Sequence, residues 1–563
     1  MPSKKIILFL IIIVVFGSFL RFYSLGSTEL IHDEGLDIFR SIGYLDYLDS
    51  AAQSTPIQWL FDKPLPWWTN LSFHDDPPLF FIIQHTFINI FGENLFAARL
   101  PSALAGIGSI ILIFFIVRRF LNSDFAGFVA SFVLSINFAH IWISRIAILE
   151  STVIFFVLLN IYFFLRFISF GSPTFFRKSD SQINWLLFGV TLGLCFLTKY
   201  TSIFIIPVYV VYLLIFNRAI FKKQNLYLAF IIASIIFSPV IVYNIYLYQT
   251  FGHFDLQIAT LLRQNVSYWQ GESGKTQEPF SNIAENLMSI YSLPILLFVI
   301  LGIFVSCTLL IIKNKFIYEI NHILIFILSL FVFITFLLVF IGSAIRFVVF
   351  YSIPITMITV VLFMMARIFV DKYKQTWIKH TFVIVFAGFL AYEGMFTISA
   401  MRSVYASDFG VMAIDGYFDS TFKNERPSGL LQHENPHLNK IIQKYASGYP
   451  NTLAPSGIIY DDNIELPHRL WLISRREFYH GIPIMPASEF LGIIQKEGAG
   501  QFAGFTLFFV KADIGAPVRI TNQLPQAGQI EALLKNNLKL SPDAIFNDDS
   551  GNPAFRVYKF SFQ

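Results

Sequence analysis

Two carboxylates stand side by side at Asp33 and Glu34, in the run Ile31-His32-Asp33-Glu34-Gly35, about ten residues past the first long apolar segment. A positioned carboxylate can accept the proton of an attacking hydroxyl while its neighbour orients that hydroxyl or holds a metal ion. The same doublet also reads as a solvated loop pair or as the acidic start of a helix. A second candidate is Ile143-Ser144-Arg145-Ile146-Ala147-Ile148-Leu149-Glu150, where Arg145 and Glu150 straddle the ends of two apolar runs. A Glu opening an apolar run is costly unless satisfied, which favours a functional role, although end charges also snorkel or pair with each other. Lys199 and Arg346 are lone cations between apolar runs. They serve either as interfacial anchors or as a clamp on a phosphate, a task for which the guanidinium is suited by its two parallel donors. His74, Asp75 and Asp76 precede Pro77-Pro78, which fix the entry of a helix. This triplet can contact a substrate or a divalent metal, but adjacent residues make a weak ligand signal, and no metal is assigned with them.

The elements that must carry these residues are membrane helices. The chain of 563 residues is 55% hydrophobic and 13% charged, with 66 Phe, a balance that excludes an ordinary soluble domain. The net charge of +4 is small, and nothing points to nucleic acid. Apolar runs near 6–22, 100–117, 125–143, 151–165, 184–198, 201–216, 226–247, 288–312, 322–342, 347–366 and 381–400 give about eleven spans. Residues 1–22 have the basic head and apolar body of a signal peptide, but Arg21, Phe22 and Tyr23 close the run without a small-residue cleavage site, so it is taken as a retained helix. Cys195 and Cys307 lie inside apolar runs and read as core residues.

Orientation follows the basic clusters. Lys4/Lys5, Arg118/Arg119, Arg177/Lys178, Arg218/Lys222/Lys223, Lys313/Lys315 and Lys372/Lys374/Lys379 all fall on the cytoplasmic side if the short run 79–91 lies on the membrane instead of crossing it. The N-terminus is then cytoplasmic, and the 24–99 loop, Glu150, Lys199, Arg346 and everything after about residue 401 face outside. The expected organisation is a membrane domain over 1–400, including the 24–99 external loop with juxtamembrane helices, and a soluble extracytoplasmic α/β domain over 401–563. In the latter, strands at 457–460 and 504–510, helices at 488–496 (with Ser488 as N-cap) and 526–538, and a terminal hairpin at 544–546 and 555–562 are legible.

Several of these stretches resemble one superfamily in order. Ser144-Arg145, Leu149-Glu150 and Phe155-Phe156 are similar to the "SR…LD…FF" signature of the protein O-mannosyltransferases, with Glu for their Asp. Asp33-Glu34 matches their first-loop acidic pair, and Asp76-Pro77-Pro78-Leu79 their "HPPL" or "KPPL" element, with Asp76 replacing His or Lys. Phe91-Gly92-Glu93-Asn94 through Ala103 resembles an element of the bacterial aminoarabinose transferases. Gly193 to Tyr200 resembles "GL..LTKY", and Arg346 to Pro354 a late "RY…P". The resemblance implies a C-type integral-membrane glycosyltransferase fold. It also implies a polyprenyl-phosphate-linked sugar as donor, and inverting transfer to a hydroxyl of a protein, lipid or glycan on the extracytoplasmic face. It gives Asp33 as the catalytic base, Glu34 as its partner, Glu150 as the second acidic position, and Arg145, Lys199 and Arg346 as cationic positions toward the donor phosphate. A carboxylate at position 76 cannot hold a phosphate as Lys does, and His74 and Asp75 stay candidate contacts beside it. The alternative, a transporter or flippase of a lipid-linked sugar, would place ionisable residues near the bilayer middle, whereas the charges here gather at one boundary.

Overall fold

The computed structural model describes residues 4–31, 33–42, 67–72, 75–168, 180–266, 279–312, 318–372, 375–422, 456–480, 482–518 and 523–562. They form two units, residues 1–25 with 70–401, and residues 26–69 with 402–563. The helices up to the second unit's last portion are α1 (Lys4–Phe22), α2 (Glu34–Ile42), α3 (Leu79–Phe91), α4 (Leu95–Leu121), α5 (Asp124–Ile136), α6 (Phe138–Ile143), α7 (Glu150–Phe167), α8 (Asp180–Thr198), α9 (Ile205–Phe216), α10 (Gln224–Phe251), α11 (Leu256–Leu261), α12 (Ile283–Ile290), α13 (Leu293–Ile312), α14 (Tyr318–Ile341), α15 (Ile345–Val348), α16 (Ser352–Asp371) and α17 (Thr376–Ala406).

Among the described residues, eight helices are long and apolar enough to cross a bilayer. The expected run 125–143 is not one helix. Asn137 interrupts it, and its side-chain carbonyl accepts the His140 N–H at 3.0 Å to start α6. Helix α3 has 13 residues. That is about 20 Å of helix against roughly 30 Å of hydrocarbon, too short to cross untilted. It buries Phe80, Phe81, Gln84 and Ile88, and Gln84 ties it to α4 through the Ala98 carbonyl at 2.8 Å.

Small residues and polar knots hold the bundle together, because lipid supplies no hydrophobic drive between helices. Gly189 and Gly193 form a small-residue stripe on α8. An added Cβ at Gly189 would lie 2.5 Å from the Ala229 carbonyl oxygen of α10, and one at Gly193 would lie 2.7 Å from Ile236 Cβ. Asn160 of α7 donates to the Phe188 carbonyl (3.0 Å) and to Thr191 Oγ1 (2.9 Å), and accepts from Tyr209 (2.7 Å), so one buried amide joins α7, α8 and α9. Both cysteines are free thiols. Cys195 is buried as expected, but Cys307 is exposed on the surface of α13, where a methyl-sized apolar thiol suits lipid as well as a core.

The second unit carries a five-stranded sheet of β1 (Ser456–Tyr460), β2 (Ile484–Pro486), β3 (Thr506–Ala512), β4 (Ala544–Asn547) and β5 (Pro553–Phe560), in the order β2-β1-β3-β5-β4. Strands β2, β1 and β3 are parallel, and β5 and β4 join antiparallel. Its helices are α18 (Val411–Phe422), α19 (Leu466–Arg469), a π-turn at Leu470–Ser474, α20 (Arg475–His480), α21 (Ala487–Glu497) and α22 (Gln526–Asn536). Phe490, Leu491, Ile530 and Leu534 of α21 and α22 pack on Ile459, Leu507, Phe509 and Tyr558 of the sheet. Ser488 is not the N-cap. Helix α21 starts one residue earlier, and Ser488 gives its N–H (3.0 Å) and hydroxyl (2.8 Å) to the Asp462 carboxylate. Residues 26–69 group with 402–563 in this second unit.

An ion network crosses the outer face of β3, β5 and α22. Glu531 meets Lys511 (3.1 Å), Lys535 (2.8 Å) and Arg556 (3.0 Å), and accepts from the Tyr558 hydroxyl (2.6 Å). Burial pushes the Glu531 carboxyl up, but hydrogen bonds from Lys535, Tyr558 and Lys511 outweigh it and hold it down at about 2. A carboxyl depressed on folding contributes stability above its unfolded value, and this is lost as pH falls toward the folded one. The melting temperature of this unit is therefore expected to drop between pH 4.5 and pH 2 by more in the wild type than in Glu531→Gln, which calorimetry at stepped pH reads directly.

Candidate functional site

In the membrane unit the sequence candidates Glu150, Lys199 and Arg346 come together. Glu150 opens α7, whose first turn is tied to α4: Ser102 Oγ donates to the Ile148 carbonyl at 3.2 Å, and Ser151 Oγ to the Ser102 carbonyl at 2.8 Å. Lys199 stands at the break between α8 and the 3-10 turn Tyr200–Phe204, and its Nζ donates to Glu150 Oε1 at 2.8 Å. The carboxylate is fully buried, and among the described residues no hydrogen bond is made to its second oxygen, Oε2. A buried carboxylate oxygen is a strong acceptor, and leaving its hydrogen bond unmade is expensive. Phe347, absent from the sequence candidates, has both cations near its ring. The Lys199 ammonium is 5.6 Å from its ring centroid and the Arg346 guanidinium 4.9 Å. A ring face attracts a cation through its quadrupole without taking up its hydrogen-bond donors.

Arg145 has a different place. Its Nη1 donates to the carbonyls of Leu20 (3.0 Å) and Arg21 (2.9 Å), the last turn of α1, and its Nη2 reaches the Ser24 carbonyl at 3.5 Å. Those groups are a helix C-terminus in need of donors, and a cation suits them. Asp75 and Asp76 are described, and His74 lies outside the described residues. Asp76 and Tyr243 lie within electrostatic reach of Tyr200, whose hydroxyl donates to Asp255 at 2.6 Å. Asn244 also donates to Asp255, at 2.8 Å. Burial raises the Asp255 carboxyl, hydrogen bonds from Tyr200, the Ile258 N–H and Asn244 oppose this, and the charge of Asp75 adds to it. Among the described residues, no three His, Cys, Asp or Glu side chains are grouped to hold a metal ion.

The acidic doublet belongs to the other unit. Asp33 precedes α2, and its carbonyl accepts the Asp37 N–H at 2.9 Å, the bond of an N-cap. Glu34 is fully buried, and its Oε2 accepts the Ile31 N–H at 3.0 Å, so this carboxylate braces the turn that presents Asp33. Upstream, Glu29 Oε1 accepts the Met412 N–H at 3.0 Å, at the amino end of α18. Burial pushes the Glu29 carboxyl up to about 8, against the Met412 N–H, and the Asp408 carboxylate beside it acts in the same direction as burial. Downstream, Gly35 lies against α19: an added Cβ would overlap the Pro467 carbonyl oxygen and sit 2.7 Å from its carbon.

Residues 75–243 match the family described as dolichyl-phosphate-mannose-protein mannosyltransferase. A Bacillus subtilis protein named "Putative mannosyltransferase YycA" is 30% identical over 152 residues, which are 27% of this chain and 21% of that protein. The chain thus spans about a fifth of the length of the curated relatives it matches. Among solved structures, ArnT from Cupriavidus metallidurans bound to undecaprenyl phosphate superposes with a TM-score of 0.52 at 16% identity, covering 99% of this chain and 98% of that one. The Archaeoglobus fulgidus oligosaccharyltransferase in its apo form gives 0.53 at 12% identity, covering 91% and 70%. The fold, a polytopic helical membrane domain with a small C-terminal sheet, is that of the C-type membrane glycosyltransferases.

Proposed function

We propose, from a multi-pass chain with this fold and a mannosyltransferase-matching segment, that the protein is a membrane glycosyltransferase moving a hexosyl or pentosyl group from a polyprenyl-phosphate donor to an acceptor hydroxyl. The observation that carries the reading is the buried Glu150–Lys199 pair, with Lys199 and Arg346 both set against the Phe347 ring. An anion there would meet the fields of both cations, little screened in a low-dielectric setting. This is what a departing phosphate monoester requires.

The reaction is a single displacement with inversion, on the extracytoplasmic face. The acceptor oxygen attacks the anomeric carbon and forms the new C–O bond. The bond from that carbon to the phosphate oxygen breaks, and its electron pair leaves with the lipid phosphate. Arg346, helped by Lys199, stabilises the charge that grows there, so the leaving group needs no acid. Asp33 takes the hydroxyl proton as the nucleophile attacks. Glu34 braces the turn, and Oε2 of Glu150 accepts a hydroxyl of the bound substrate. Asp75 and Asp76 serve as contacts for neutral hydroxyls, since carboxylates repel the phosphate.

Purified protein incubated with a panel of undecaprenyl- and dolichyl-phosphate sugars is expected to release polyprenyl phosphate from at least one of them in the presence of a hydroxyl acceptor. Arg346→Ala is expected to lower that rate about 100-fold, the usual consequence of removing one donor to a developing charge. A pure wild-type protein that leaves every donor intact, or that translocates the donor unchanged across vesicle membranes, would favour the transporter reading.

A further inference from the structure

Asp33, the proposed base, belongs to the second unit together with Glu34, whose carboxylate braces the same turn. Helix α2 has nine residues, and Glu34, Asp37, Ile38, Phe39, Arg40 and Ser41 are all buried. A short helix buried on most of its circumference has one seat. That seat is α19 and the π-turn after it, against which α2 packs. Gly35 sets the distance, because any side chain there collides with the Pro467 carbonyl.

The seat is itself locked. Asp415 of α18 accepts from Trp471 Nε1 of the π-turn (3.2 Å) and from Arg475 Nη2 (2.5 Å), while Arg476 Nη2 donates to the Asp415 carbonyl (3.0 Å). Arg475 and Arg476 are both buried, as is the whole π-turn. Such turns are energetically poor and persist where a fold uses them to aim a side chain. The amino end of the same α18 is where the Glu29 carboxylate docks. The frame therefore closes on itself, from Glu29 to α18, through Asp415 to the π-turn and Pro467, and back to Gly35. Asp33 lies in the short stretch between the two anchors.

We infer that the C-terminal domain is the positioning device for the catalytic base, with Glu29, Gly35 and Asp415 as positioning residues that hold Asp33 at its working place. This rests on the reading of Asp33 as the base. The donor phosphate is assigned to residues of the membrane unit, so loosening the frame should impair the chemical step and leave donor affinity alone. A displacement of about 1 Å costs on the order of 100-fold in rate.

The test compares Gly35→Ala and Glu29→Ala with wild type and with Gly416→Ala, a site on α18 where an added Cβ meets nothing within 4 Å. Full-length purified proteins are assayed with the donor that the wild type uses. The expected result is a kcat lowered 30- to 100-fold in Gly35→Ala and at least 10-fold in Glu29→Ala, with donor KM within twofold, a displaced acidic limb of the pH–rate profile, and Gly416→Ala at wild-type rates. Wild-type kcat in Glu29→Ala together with Gly35→Ala that either keeps full activity or loses donor binding and thermal stability alike would overturn the positioning role. If Asp33→Asn is inactive while both anchor variants are fully active, only this inference fails. If Asp33→Asn is itself fully active, the base assignment fails and takes the inference with it.

Discussion

Asp33→Asn is expected to lower the transfer rate by about a thousandfold or more while leaving the fold and donor affinity in place, the upper range for loss of a positioned base. The substitution is close to isosteric. Its main-chain role survives, because Asp33 stands at the N-cap of α2 and Asn caps a helix as well as Asp does. What is removed is proton acceptance. The check is single-turnover release of polyprenyl phosphate beside a donor-binding measurement and a melting curve. A variant that transfers at the wild-type rate would remove Asp33 from the mechanism, and one that unfolds would show the side chain to be structural.

Lys199→Met carries the second large effect. The side chain keeps its length but loses the charge, and the Glu150 carboxylate is left buried without its 2.8 Å partner. Breaking one side of a buried pair costs about 3–5 kcal/mol, most of it the stranded charge. Transfer is expected to fall by at least a thousandfold through lost stability of the site and lost stabilisation of the leaving phosphate together. The double variant Glu150→Gln/Lys199→Met separates the two causes. With no charge stranded, its melting temperature should return close to that of wild type, while transfer stays lost because no ammonium faces the phosphate. Recovery of transfer along with stability would mean that the pair only holds helices together.

The apolar runs announced the helices because a bilayer tolerates little else, and Glu150, Lys199 and Arg346 were legible because an isolated charge between such runs is expensive. Phe347 was not. One aromatic ring among 66 Phe carries no signal until two cations are seen near it. Arg145 looked like its fellow cations in sequence, yet its nearest partners are carbonyls some 120 residues earlier, a relation no local pattern contains. The strands β1, β3 and β5 were readable from their apolar runs, whereas β2, only three residues long, and the π-turn were not. The seat of α2 was invisible for the reason that hid the role of Arg145: what Gly35 touches lies in a part of the chain far removed from it.

That separation has a consequence for biogenesis. Gly35 and Pro467 are about 430 residues apart, so at usual elongation rates of 5–20 residues per second the helix bearing Asp33 waits roughly 20–90 s for its docking partner to be synthesised. Throughout that interval the bundle can insert helix by helix, but α2 has nowhere to settle. On the proposed mechanism, the segment carrying the base is therefore seated only after residues 466–474 have been made, so transfer activity would arise late in synthesis.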